Sequence, residues 1–279
     1  MSTFATMVER LAAASADAAP AALDWPEALD ANGWAMSPEW ISLHGTSAYA
    51  RLDEAAARRL ALFEAAHFFS LNIHGERLLM AGLAARLYRR DSGDHDAYLH
   101  HFLAEENAHS AMFGRFCAQY AGKVYPERKL PLPEPEDRPR AERDLVFYAR
   151  VLLFEEIVDR YNVALAADAR LLPIVRAIHA RHHADESRHL AFGRQMVRRL
   201  AGRQPILDVV REELQGFLLL TLREYVNPAV YADAGLPDPY GLADEAFACP
   251  ERRAFRARVA GPAVRFLHGL SLLPTPEVP

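Results

Sequence analysis

The sequence predicts an all-α protein with a four-helix bundle at its core and additional helices around it. Proline and glycine are concentrated in a few places, so long stretches with apolar residues at helical spacing lie between loops. No set of segments alternates apolar and polar residues at period two, as half-buried strands do. A pattern of glutamate and histidine recurs on two predicted helices, which is typical of a bundle core.

Turn-forming residues separate the predicted helices. The first block forms either one helix or two helices broken near Gly75, and a tight connection at Asp91–Asp94 follows it. Residues 122–140 contain five prolines and are predicted to cross between the two halves of the bundle, and the tail before Pro250 is predicted to be loop-rich. The predicted helices run from about Leu52 to Arg90, His95 to Ala121, Ala141 to Ala167, Leu171 to Gly202, Ile206 to Tyr225 and Glu251 to Leu272.

We expect one helical domain that spans residues 1–279. The chain is 51% hydrophobic, which is ample for a sizeable core. Residues 1–50 are predicted to form a lead segment, residues 51–202 the four-helix core, and residues 203–279 additional helices and loops.

Composition argues against several functions. The net charge of -5 and the scattered arginines disfavour nucleic-acid binding. Cys117 and Cys249 are far apart, so neither a disulfide framework nor a thiolate metal site is expected, and Cys117 is predicted to be a small core residue. No signal peptide is evident, and the longest apolar stretch, near Phe217–Leu220, is too short to span a membrane. We expect a soluble, cytoplasmic protein.

Two motifs carry the predicted chemistry, Glu106-x-x-His109 and His182-x-x-x-Glu186-x-x-His189. Residues three, four and seven apart share one face of an α-helix, so each motif points its side chains one way. A lone Glu-x-x-His is usually a solvated pair. Two Glu-x-x-His motifs that lie 80 residues apart in apolar surroundings indicate a metal site, because burying carboxylates without a partner is costly. Such paired helices form half of a two-metal site, and each remaining helix adds a glutamate.

The two remaining glutamates follow from register. Glu76 lies thirty residues before the first motif, whereas Glu64 lies twelve residues earlier, roughly three turns away from the metal level. On the third helix, the 80-residue offset favours Glu156. Glu155, however, shares an apolar stripe, whereas Glu156 shares its stripe with Arg160. We select Glu155, because a turn between helices can absorb one residue.

The predicted ligands are therefore Glu76, Glu106, His109, Glu155, His182, Glu186 and His189. Four carboxylates can neutralise two cations while imidazoles complete the coordination, which suits iron or manganese rather than structural zinc. We expect two iron ions, or one manganese and one iron, with O2 as cosubstrate. His183 lies about 100° further round the helix and is not expected to be a ligand. Asp185, Glu105 or Asp159 are predicted to accept hydrogen bonds from ligand imidazoles.

Together these residues resemble the AurF-like non-haem diiron N-oxygenases, relatives of p-aminobenzoate N-oxygenase in the ferritin-like superfamily. The specific mark is a third histidine four residues before the final glutamate, here His182, beyond the six ligands of ordinary ferritin-like diiron proteins. The likeness spans about residues 60 to 200 and includes Phe102–Ser110 and Asp185–Arg194. It implies a ferritin-like fold and a monooxygenase that converts an amine to a hydroxylamine, nitroso or nitro product in secondary metabolite biosynthesis.

The resemblance leaves the substrate open. An aryl amine, a small aliphatic amine or an amino acid held on a carrier protein all fit, and so do several arginines as partners of a substrate carboxylate. The electron donor is not assigned, and a homodimer through the apolar face of Ile206–Tyr225 is expected by analogy. The candidate pocket residues are Phe69, Asn72, Phe113, Tyr161 and Phe192.

Other functions can use the same ligands. A second diiron enzyme class would carry out C–H hydroxylation, desaturation or C–C cleavage. A radical-generating subunit would need a redox tyrosine near the metals. A ferritin-like iron protein without turnover is a different class, and the chain length, the loop-rich tail and His182 disfavour it.

Overall fold

The computed structural model describes residues 3–17, 22–89, 95–127, 138–203 and 205–278. Within these ranges the protein is helical, and its β-type pairing is an isolated bridge between Trp34 and Leu171. The all-α prediction is confirmed. The helices are α1 (Thr3–Asp17), α2 (Ser47–Ala50), α3 (Glu54–Ala84), α4 (Asp96–Phe116), α5 (Arg140–Ala167), α6 (Pro173–Ala201), α7 (Asp208–Glu224), α8 (Pro228–Asp233), α9 (Pro239–Ala248) and α10 (Pro250–Gly269).

The four longest helices form the bundle. Helix α3 packs against α4 and helix α5 packs against α6, while contacts between α3 and α5 and between α4 and α6 close the bundle. A π-helical turn at Cys117–Ala121 continues α4, which accounts for the predicted end at Ala121. The predicted connection at Asp91–Asp94, and residues 128–137 of the predicted crossover, lie outside the described residues.

Helix α3 is one continuous helix of 31 residues, so the break near Gly75 does not occur. The Asp53 side chain caps its first turn by accepting a hydrogen bond from the Ala56 N–H at 2.8 Å. Gly75 serves a different purpose. A Cβ atom at this position would lie 2.6 Å from Cε1 of Phe154, so glycine lets this ring of α5 rest against the α3 backbone.

The flanking helices differ most from the prediction. Helix α1 lies within the predicted lead segment and packs on α4 and α6, and helices α8 and α9 lie in the tail that was predicted to be loop-rich. Both short helices have a side-chain cap followed by proline. The caps are Asn227, which accepts from the Ala229 N–H, and Asp238, which accepts from the Gly241 N–H. Helices α7 and α10 pack on α5.

A continuous hydrophobic cluster draws buried residues from all three predicted segments, from Val8 to Leu273. Cys117 is fully buried within it, as expected of a core residue. In the ranges described, none of the helices is both long and apolar enough to cross a bilayer. Leu219 and Leu220 on α7 are each 37% exposed, and the homodimer through this helix remains a prediction.

Candidate metal centre

The bundle brings all seven predicted ligands together. Helix α3 supplies Glu76, helix α5 supplies Glu155, and the motif helices α4 and α6 supply the others. The donor atoms form two groups, each with all atoms within 4.8 Å of one another. The first group consists of Glu76, His109 and His182, and the second of Glu106, Glu155, Glu186 and His189. His109 Nδ1 and Glu106 Oε2, 3.3 Å apart, connect the two groups.

The donor set fits two metal ions. All seven side chains are buried, none more than 6% exposed. Within the described residues, one carboxylate oxygen each of Glu76, Glu155 and Glu186 has no hydrogen-bond partner. Burying a carboxylate without a compensating cation is strongly unfavourable. Two cations of the iron or manganese type would satisfy these oxygens, because such metals accept mixed carboxylate and imidazole ligation.

Two of the imidazoles turn the same ring atom towards the centre. His109 Nδ1 faces the carboxylates, and its Nε2 donates to Asp185 Oδ2 at 3.1 Å. His189 Nδ1 lies 2.8 Å from Glu106 Oε1, and its Nε2 donates to Glu105 Oε2 at 2.8 Å. A carboxylate behind each ring fixes its orientation and leaves Nδ1 available to a metal.

His182 is oriented the other way and has a different support. Its Nε2 lies 3.0 Å from Glu186 Oε1, and its Nδ1 lies 2.9 Å from Nδ2 of Asn162. The Asn162 Oδ1 accepts from His179 Nδ1 at 2.9 Å. Burial, assisted by the charge of His182, lowers the pKa of His179 to about 3, so this imidazole is neutral. Asn162 therefore holds two imidazole rings, one of them a predicted ligand.

One guanidinium joins the two supporting carboxylates. Arg188 Nη2 lies 2.6 Å from Glu105 Oε1 and 2.5 Å from Asp185 Oδ1. Burial raises the pKa of Asp185, but His109 and Arg188 outweigh it and hold that pKa below its ordinary value. The structure thus assigns the predicted supporting role to Asp185 and Glu105. Asp159, the third candidate, instead lies 2.6 Å from Nδ1 of His183, which belongs to neither donor group.

Burial and neighbouring charge set the protonation of the glutamates. Burial raises the pKa of Glu76 well above its ordinary value, and the negative charge of Glu106 adds to the effect. Glu155 behaves in the same way beside Glu186. Burial also acts to raise the pKa of Glu186, but His189 and other neighbours bring it well below the ordinary value. Protons and metal ions therefore compete for the same oxygens, and metal binding releases protons.

The rejected glutamates lie elsewhere. Glu156 is buried but turns its carboxylate to Arg194, whose Nε lies 2.5 Å from Oε1, so the structure places Glu155 and not Glu156 among the donors. Glu64 accepts hydrogen bonds from the N–H and hydroxyl groups of Ser42. The structure thus groups Glu155 with the other donor atoms, as the stripe pattern predicts, whereas the 80-residue offset points one residue further to Glu156. Metal binding by Glu155 remains a prediction.

A cavity of about 280 Å³ lies between α3, α5 and α7 and reaches the candidate metal centre. Glu155 belongs both to its wall and to the four-residue donor group, and its Oε2 is one of the oxygens without a partner. Much of the wall is apolar, formed by side chains such as Leu78, Leu79, Val146, Phe147, Val151, Phe154 and Phe217. Four arginines also line it, namely Arg86, Arg138, Arg143 and Arg150.

None of the five predicted pocket residues lines this cavity, and Tyr161 lines a smaller one beside Trp40 and Phe255. Aromatic rings on the metal-facing stripes instead fill the bundle interior. Phe69 stacks on Phe113 with ring centroids 5.0 Å apart, and Phe192 packs on Tyr98 at the same distance. The remaining two are Asn72, which donates to the Phe68 carbonyl at 2.8 Å, and Tyr161, which stacks on Tyr225 at 5.2 Å.

Some site residues escaped the sequence analysis. Ser110 donates to Glu76 Oε2 at 2.6 Å, and Asn162 supports His182. A sequence signal existed for Asn162, since it lies seven residues after Glu155 on the same helical stripe. Ser110 follows a motif histidine directly, but helical spacing alone does not aim it at Glu76 on another helix.

Two solved structures of an R2-like ligand-binding oxidase share the fold. A point mutant with an anaerobically reconstituted Mn/Fe cofactor is 17% identical, with a TM-score of 0.51, and the match covers 98% of this chain and 93% of that chain. A mutant with a non-activated Mn/Mn cofactor is also 17% identical, with a TM-score of 0.50, and the match covers 92% and 93%. These likenesses support the ferritin-like bundle. No curated protein matches the sequence.

A family model provides the more specific comparison. It is described as p-aminobenzoate N-oxygenase AurF and matches residues 2–271, which is nearly the whole chain. The resemblance inferred from the ligand pattern is confirmed, and the chain belongs to the AurF family of oxygenases.

Proposed function

We propose that this protein is a diiron oxygenase that transfers oxygen from O2 to the nitrogen of an amine in a natural-product pathway. The product would be a hydroxylamine, nitroso or nitro compound. The observation that carries the proposal is the position of His182, which contributes a donor atom to the group with Glu76 and His109. This third histidine is the feature by which the ligand pattern resembles AurF-like enzymes, and family membership supports the same function.

Two bound iron ions would supply the redox chemistry that activates dioxygen. The protein positions the ligands and keeps their surroundings apolar. Phe102 stacks on His189 with ring centroids 3.8 Å apart, and Phe113 packs against His182 at 5.0 Å. Both rings are buried, so they keep water away from these imidazoles.

The cavity beside Glu155 gives the substrate a place to react. Its apolar walls disfavour a charged ammonium group, which lowers the pKa of a bound amine. A neutral amine has a free electron pair on nitrogen, as transfer of oxygen to that nitrogen requires. Glu155 lines the cavity and belongs to the four-residue donor group, so an amine bound at this end would lie beside the centre.

The test begins with iron analysis of aerobically purified protein, with His182→Ala and His183→Ala compared directly. His183 is the matched control, because it is adjacent in sequence and its half-exposed side chain pairs with Asp159. We expect about two irons per chain in the wild type and in His183→Ala, and a marked loss in His182→Ala. The protein is then reduced with dithionite, exposed to O2 and incubated with a panel of amines.

Mass spectrometry should find products that gain oxygen at nitrogen, formed by the wild type and His183→Ala and absent with His182→Ala. Zinc, no metal, or many irons per chain would contradict the diiron assignment. Two irons with oxygen inserted only into C–H bonds would retain a diiron enzyme and refute N-oxygenation.

A further inference from the structure

The cavity is elongated along α5. Arg143 and Glu155 both line it and lie twelve residues apart, which places their Cα atoms about 18 Å apart along the helix axis. Between them, Phe147, Val151 and Phe154 line the wall, and so does Arg150, which pairs with Glu213. The cavity therefore has a metal end at Glu155 and an arginine end at Arg143, separated by a passage that is apolar apart from this ion pair.

Three of the four arginines that line the cavity have carboxylate partners. Arg86 pairs with Asp144, Glu213 on α7 contacts both Arg138 and Arg150, and Glu142 also contacts Arg138. Arg143 is half-buried, its Nε atom is buried, and no described residue pairs with its guanidinium. A partly buried arginine without a partner is a favourable site for a carboxylate, which it can bind with two hydrogen bonds.

We propose that the substrate is an elongated amphipathic acid, with a carboxylate bound by Arg143 and an apolar body along the passage towards Glu155. Arg143 then selects substrates that carry a carboxylate. Its distance from Glu155 sets the length of the substrate. The inference rests on the proposed function only for the group at the metal end, which would be the amine. The acid end and the apolar body follow from the cavity itself.

The length of the passage excludes small substrates. The arginine and glutamate side chains shorten the path between them, which leaves on the order of 10 Å, or a zigzag chain of roughly eight carbon–carbon bonds. A single aromatic ring with an amine and a carboxylate at opposite ends is too short to reach both groups. The cavity volume of about 280 Å³ accommodates a chain of this size.

Isothermal titration calorimetry without amine or added reductant tests the proposal. Hexanoate, decanoate, methyl decanoate and 4-aminobenzoate are titrated into the purified protein. We expect decanoate to bind at least tenfold more tightly than hexanoate, since each additional buried methylene favours binding. Methyl decanoate, which lacks the charge, and 4-aminobenzoate, which lacks the length, should each bind at least tenfold more weakly than decanoate.

Variants test whether the carboxylate of decanoate binds at Arg143. Arg143→Gln should weaken decanoate binding at least tenfold and leave the methyl ester unchanged. Arg160→Gln is the matched control, because Arg160 is an exposed arginine of the same helix outside the cavity wall. Val151→Trp should block the passage and abolish binding, and circular dichroism confirms that each variant is folded.

The proposal is overturned if decanoate binds Arg143→Gln as tightly as the wild type, since the carboxylate would then lie at the metal end. Equal binding of hexanoate and decanoate, or preference for 4-aminobenzoate, would refute the length requirement. No step involves an amine or oxygen transfer, so failed N-oxygenation and failed acid binding are observed separately.

Discussion

Replacement of Glu64 by glutamine should stabilise the protein, and more so at alkaline pH. Glu64 is 6% exposed and accepts hydrogen bonds from Ser42, whose hydroxyl also contacts the Tyr231 hydroxyl at 2.6 Å. Burial raises the pKa of Glu64 from 4.5 to about 7, although the Ser42 hydrogen bonds act in the opposite direction. Glutamine keeps the shape and an acceptor for Ser42 but never acquires the charge.

The direction of the pH effect follows from the difference in the pKa of Glu64 between the unfolded and folded states. In the unfolded chain Glu64 loses its proton near pH 4.5, but in the folded protein only near pH 7. The folded state is therefore favoured most below pH 4.5, and this contribution is lost as the pH rises through 7. The full difference corresponds to about 3 kcal/mol in the free energy of unfolding.

Urea unfolding at pH 5 and pH 8 provides the assay. The advantage of Glu64→Gln over the wild type should be small at pH 5 and approach about 3 kcal/mol at pH 8. Glu54→Gln is the control on the same helix, since its side chain is 67% exposed, and it should show no such pH dependence. An advantage that is equal at both pH values, or a Glu64→Gln protein that is less stable at pH 8, would refute the reasoning. Iron content should remain unchanged.

Three further substitutions test the centre and the cavity. Arg188→Gln removes the guanidinium that holds Glu105 and Asp185, the two carboxylates behind the ligand imidazoles. Metal binding, measured by competition with a chelator, should weaken about tenfold to a hundredfold. Retention of wild-type affinity would refute this. Glu156→Gln should retain both metals in iron analysis, because this carboxylate serves Arg194; loss of metal would reassign the ligand. Gly75→Ala forces the Phe154 ring away from α3, so it should cost about 1–3 kcal/mol in thermal or urea unfolding and weaken decanoate binding in calorimetry. An unchanged stability would show that the ring has room to move.

The positions of the motif residues could be predicted because each motif lies within one helix. Helical spacing is a local property, so Glu106 with His109, and Glu186 with His189, had to share a face whatever their helices packed against. The partner on α5 depended on how four helices align. The stripe pattern predicted that Glu155 faces the bundle interior, because the residues of a whole helix face indicate which side is buried, and the structure groups Glu155 with the other donors. Counting 80 residues along the chain pointed instead to Glu156.

The flanking helices could not be predicted as readily. Helices α8 and α9 have six and ten residues, too few for a hydrophobic period to stand out, and their prolines resemble loop signals. Pro228 and Pro239 occupy first-turn positions, where proline favours a helix. Gly75 was misinterpreted for a related reason. A glycine that breaks a helix and one that admits a neighbouring ring look alike until the neighbour is known.

Arg143, at the far end of the cavity from Glu155, lies on the same face of α5 as Glu155, so helical spacing could have identified it from the sequence. Positions 143, 147, 151 and 155 recur every four residues on α5, so a continuous ridge leads from Arg143 to the metal centre. From the sequence alone, several arginines remained possible partners of a substrate carboxylate. The sequence alone does not show the contribution of α7. Glu213 on that helix engages Arg138 and Arg150, and no described residue pairs with the guanidinium of Arg143. The candidate for substrate recognition is therefore defined by packing between helices, whereas the ligand motifs are defined by spacing within each helix.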